Sequence, residues 1–86
     1  MITRHNVAVK LTDYLHHRLK LEELVDWAEQ TMMDGELDPN HFEALRDIVS
    51  RLGLADVREF GLTWEDCEEF LLRLGYQVRI EVSEVA

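Results

Sequence analysis

The sequence predicts a mainly α-helical fold: a small bundle of about four helices, one of them short, with one C-terminal β-strand over about residues 76–83. Three observations predict it. Apolar residues recur every three or four positions through most of the first 74 residues. Capping residues, one Pro and four Gly punctuate that pattern where helices would begin and end. Finally, the period drops to two in GYQVRIEV, residues 75–82, where Tyr76, Val78, Ile80 and Val82 alternate with Gln77, Arg79 and Glu81.

The elements follow in order. Val7, Leu11, Tyr14 or Leu15, and Leu19 share a helical face, and Asn6 precedes them as a plausible N-cap, so a first helix is expected over about residues 6–17. Val7, Val9 and Leu11 also alternate, so a strand that would pair with the C-terminal one is the competing assignment. LEELVDWAEQTMM, residues 21–33, reads as the clearest helix. Its inner stripe is Leu21, Val25, Ala28 and Met32, widened by Leu24, and acids fill the other side. Asp38 and Pro39 then form a cap and first-turn proline for a third helix, whose stripe is Phe42, Leu45, Ile48, Val49 and Leu52 and whose stop is Gly53.

LADVREF, residues 54–60, is expected to form a helical turn or two before Gly61. Thr63 caps the last helix, with Trp64, Cys67, Phe70, Leu71 and Leu74 directed inward and Gly75 closing it. Asp66 stands where a capping box prefers Glu or Gln, so that box reads as imperfect. No repeat or second domain interrupts residues 1–86, which are taken as one domain.

Composition narrows the function. With 47% hydrophobic and 31% charged residues the chain suits a folded protein rather than a disordered one. At 86 residues it buries only about 60 to 65% of the surface its unfolded form exposes, so modest stability is expected. Nine Lys and Arg against eighteen Asp and Glu give a net charge of −9, which repels a phosphate backbone and disfavours nucleic acid. The same field attracts a basic protein, although acidity also serves solubility. One cysteine and no run of about 20 apolar residues point to a cytoplasmic protein without a membrane span.

No motif supports catalysis, a cofactor or a metal. His16 and His17 are adjacent and so point about 100° apart on a helix, which does not suit one shared ion. DGELDPNHF looks like half of a calcium loop, but aligning Asp34 and Gly35 with the turn puts Gln30, Met32 and His41 where acids are needed. Cys67 lies among carboxylates that oppose a thiolate, which makes it a packed structural residue.

Protein partners are the better expectation. On the second helix Glu22, Asp26 and Glu29 form an acidic face, with Trp27 at its edge as an anchor or as a boundary residue of a small core. Glu65, Glu68 and Glu69 form a second acidic cluster, and Arg79 and Glu81 lie on the polar face of the terminal strand. An unpaired strand edge is a binding surface, for the N-terminal residues, for a second copy in a homodimer or for another protein. In length, acidity, short helices and the phrase LEELVDWAE, the chain resembles small bacterial immunity proteins that neutralise basic toxins of the colicin or contact-dependent type. The tyrosine-rich motif of the nuclease-inhibiting members is absent, so no binding residue transfers. The resemblance implies a cytoplasmic toxin inhibitor. The competing expectation is a small structural or homo-oligomerising protein.

Overall fold

The computed structural model describes residues 1–58 and 60–77. Its α-helices are α1 (Arg4–Leu15), α2 (Leu21–Asp34), α3 (Phe42–Leu52) and α4 (Trp64–Arg73), with a 3-10 turn at Pro39–His41 leading into α3. The protein is therefore a mainly helical bundle. α2 and α3 make the most extensive helix contact, and α1 lies against α2, α3 and α4. The core draws on all four helices: Val7 and Leu11 from α1, Leu24 and Ala28 from α2, Leu45 and Ile48 from α3, Cys67 and Leu71 from α4.

The first helix settles the choice at residues 7–11, where Val7 and Leu11 are buried and Val9 is exposed on a helical arc. Its start differs from expectation. Thr3 is the N-cap, and Asn6 occupies the third helical position. The Asn6 amide donates to Thr3 Oγ1 (3.3 Å) while the Thr3 amide donates to Asn6 Oδ1 (2.9 Å). Asn6 thus closes a capping box from inside the helix. The other end comes two residues early, because His17 adopts the left-handed φ of 60° and turns the chain toward α2.

Two stripes are rotated from their expected positions. In α2 the buried side chains are Leu24, Val25, Ala28 and Thr31, whereas Leu21 is half-buried and Met32 exposed. Leu24 sits near the middle of the inward arc, not at its edge, which carries Met32 out of the core. In α3 Leu45, Ile48, Val49 and Leu52 are buried, but Phe42 is exposed in the first turn with Arg46 over its ring at 5.8 Å. At the end of α2 a side chain on Gly35 would strike the Thr31 carbonyl oxygen, so the close approach itself selects glycine.

The α2–α3 connection carries a feature the sequence did not suggest. Ile2 forms an isolated parallel bridge with Leu37: its amide donates to the Glu36 carbonyl (2.6 Å), and the Asp38 amide donates to the Ile2 carbonyl (2.9 Å). Asp38 also accepts from the Asn40 amide (3.0 Å), opening the 3-10 turn as its cap.

The expected short helix after Gly53 is a run of tight turns, with Ala55 donating to Leu52 and Val57 to Leu54. Arg51 ties them back, donating to the carbonyls of Gly61 (2.9 Å) and Phe60 (3.1 Å). The α4 capping box is complete even with the shorter acid, because the Thr63 amide donates to Asp66 Oδ2 (3.0 Å) and the Asp66 amide to Thr63 Oγ1 (3.1 Å). Trp64 does not point inward as expected; at the first helical position it stands off the arc set by Cys67, Phe70 and Leu71 and is 40% exposed. α4 ends in a Schellman arrangement: Gly75 at φ 91° donates to Leu72, and Tyr76 donates to Leu71. Tyr76 and Gln77 form no regular element, and the remainder of the expected strand lies outside the described residues.

Candidate protein-interaction surfaces

Residues 21–40 contain seven acids and no Lys, Arg or His. Helix α2 puts Glu22, Asp26 and Glu29 on its outer face, all exposed, at separations of four and three residues. The ion pairs among the described residues are Arg18–Asp13, Arg46–Asp47, Arg51–Asp66 and Arg73–Asp47, none of which draws on α2. The α2 carboxylates therefore project their charge into solvent.

One further helical step of four from Glu29 reaches Met33, which is 80% exposed. Met32 beside it is 46% exposed, and Leu54, just past the end of α3, is 42% exposed. Glu29, Met32, Met33, Ser50, Gly53 and Leu54 border an open recess of about 510 Å³ across the α2–α3 pair. Ser50 Oγ donates to Met32 Sδ at 3.7 Å, bridging the two helices beside it. Unbranched methionine side chains fit a variety of apolar partner shapes, which makes this end of the hairpin adaptable.

The chain matches no family model, no curated protein and no solved structure. The chemistry of its surfaces is accordingly the ground for a functional reading. Trp27 is half-buried against the core, and the Lys10 ammonium stands 5.6 Å from its ring centre, so it serves as a boundary residue covering the core. Glu22 borders a different recess, shared with Leu62, Thr63 and Trp64 at the start of α4. On α4 Glu65 and Glu69 are exposed and Glu68 is half-buried. Arg79 and Glu81 lie outside the described residues.

The surface that sequence reasoning missed is the Met32, Met33 and Leu54 end. A signal for it was present: adjacent methionines on a helix point about 100° apart, so an amphipathic α2 could not bury both.

Cys67 offers no nucleophile. Burial, reinforced by the neighbouring Asp66 carboxylate, pushes its thiol up to about 11, where the reactive thiolate is scarce at neutral pH. Among the described residues no three His, Cys, Asp or Glu side chains gather in a way that would hold a metal ion, and no helix is long and apolar enough to cross a membrane.

Proposed function

We propose that the protein is a non-enzymatic interaction module that binds a basic, amphipathic segment of a protein partner along α2. The observation that carries this reading is the row Glu22, Asp26, Glu29, Met33: acids with no ion-pair partner among the described residues, leading along one helix face into the exposed Met33 and its apolar neighbours. The acids steer and orient a cationic partner, and covering a methionine side chain contributes about 1.5–3 kcal/mol. Neutralising a basic toxin, the role implied by the resemblance to immunity proteins, is the cellular task such a surface suits best, and a regulatory partner would use the same chemistry. A homodimer through this face is disfavoured, because a twofold axis there would set the same acids against each other.

The test is affinity capture at low and raised salt, with captured proteins identified by mass spectrometry, using the natural chain, Met33→Asp and the double variant Asp26→Lys/Glu29→Lys. Both variants are expected to lose a basic partner that the natural chain releases as salt rises. Retention of the same partner by both variants would remove α2 from the reading, and light scattering at dilution would expose self-association in its place.

A further inference from the structure

The recess across α2 and α3 has an apolar rim of Met32, Met33 and Leu54, and the acids of α2 reach it from one side only. Glu22, Asp26, Glu29 and Met33 fall within about 60° of helical arc and span about 16 Å along the axis, so they form one straight line. Its N-terminal part is anionic and its C-terminal end is apolar. We propose that the occupant of this line and recess is an α-helix of a partner protein, antiparallel to α2, carrying an apolar residue in the recess and basic residues four, seven and eleven positions later in its sequence. The proposal rests on the reading of α2 as a surface for a basic partner, and adds the conformation, direction and residue order of what binds.

Conformation follows from the backbone. The main-chain groups of α2 are committed within the helix, and the isolated bridge among the described residues joins Ile2 to Leu37, neither of which borders the recess. An extended segment laid on this face would find no strand edge and would leave its amides to water, whereas a helix arrives with them bonded internally. Charge sets the chemistry. Residues 21–40 contain no Lys, Arg or His, and the ion pairs among the described residues leave Glu22, Asp26 and Glu29 to the occupant. A second copy of this chain would bring the same acids to that face, in a molecule of net charge −9.

Direction comes from helix polarity. The partner's cations must lie over the N-terminal part of α2, and cations stabilise a helix in its last turn, where carbonyl groups gather negative charge. An antiparallel approach places the partner's last turns there. A parallel approach would crowd the same cations into its first turns, against the positive end of its own dipole. The register then repeats α2 in reverse: the apolar residue faces Met33, and the basic ones face Glu29, Asp26 and Glu22 in that order.

The experiment titrates three capped synthetic peptides against the full chain by fluorescence anisotropy. The first is an alanine-rich helix with one leucine and lysines four, seven and eleven places after it, ending just past the last lysine. The second has the reverse order, and both are stapled on the outer face to equal helicity. The third is the first without its staple and with a proline at an outward central place. The first peptide is expected to bind most tightly, to weaken as salt rises and to be lost on Met33→Asp. The reversed peptide should bind about fivefold more weakly, and the proline peptide more than about tenfold. A nitroxide on the leucine end should broaden the Met33 methyl signal, and one on the last lysine should leave it sharp. Equal affinity of the first two peptides, undiminished binding of the proline peptide, or broadening of Met33 from the lysine end would each overturn the proposal. So would failure of the first peptide to bind. Partner capture that depends on Asp26, Glu29 and Met33 alongside any of those results would leave the basic-partner reading standing and remove the antiparallel helix alone.

Discussion

At the scale of single residues, Cys67 shows how position decides chemistry. It is wholly buried beside core leucines, and the cost of placing a thiolate there keeps the thiol protonated far above neutral pH. We expect iodoacetamide to leave Cys67 unmodified in the folded protein at pH 8 and to react in denaturant, and Cys67→Ala to cost about 1 kcal/mol in urea unfolding with no change in partner capture. Fast alkylation of the native protein would contradict the burial. The inward role of Cys67 was readable from its phase relative to Phe70, Leu71 and Leu74. That of Trp64 was not, because one residue at the first helical position has no preceding turn to fix its direction, and its side chain follows the rim of the helix rather than its stripe.

At the scale of elements, helix starts here depend on reciprocal side-chain caps, and α4 makes the dependence measurable. The Asp66 carboxyl is held below the usual carboxylate range, chiefly by the Thr63 backbone amide and further by the Thr63 hydroxyl and the Arg51 guanidinium, against a partial burial that opposes them. A lowered folded value means the unfolded chain binds the proton more readily, so this contribution is fully present above the ordinary carboxylate value and is lost as pH falls through the lower folded one. Urea unfolding followed downward from about pH 5 should therefore show a loss of stability below about pH 4 that is smaller in Asp66→Asn. Thr63→Ala should cost about 1 kcal/mol at pH 7. Equal acid sensitivity in Asp66→Asn and the natural chain would remove the cap from this account. The helices themselves were legible in their periodicity and capping residues. Their exact inward arcs were not, since Leu21, Leu24, Val25 and Ala28 fit a stripe drawn on either side of Leu24, and only the packing partners on α3 choose between the two.

At the scale of the whole molecule, long-range order rests on a few side chains that fasten irregular segments to helices. Arg51 is the main one: it donates to two loop carbonyls, faces Asp66 at 3.6 Å and stacks over the Phe60 ring at 5.4 Å. Arg51→Ala should cost about 2 kcal/mol and Arg51→Lys somewhat less, since an ammonium lacks the planar fork that spans both carbonyls. Hydrogen exchange in both variants should rise first at Gly61 and its neighbours, and unchanged protection there would show that the loop holds without its guanidinium. None of this was legible in the sequence, because the contacts join residues whose spacing follows no helical or strand period. The same is true of the Ile2–Leu37 bridge, where two backbone hydrogen bonds leave no mark on side-chain pattern. The meeting of Arg4 with Leu74 has a practical corollary for protein engineering. Helices α1 and α4 adjoin at one end, so a circularly permuted gene that joins the residues after α4 to Met1 and opens new ends among the turns after Gly53 would leave α1 to α4 uncut.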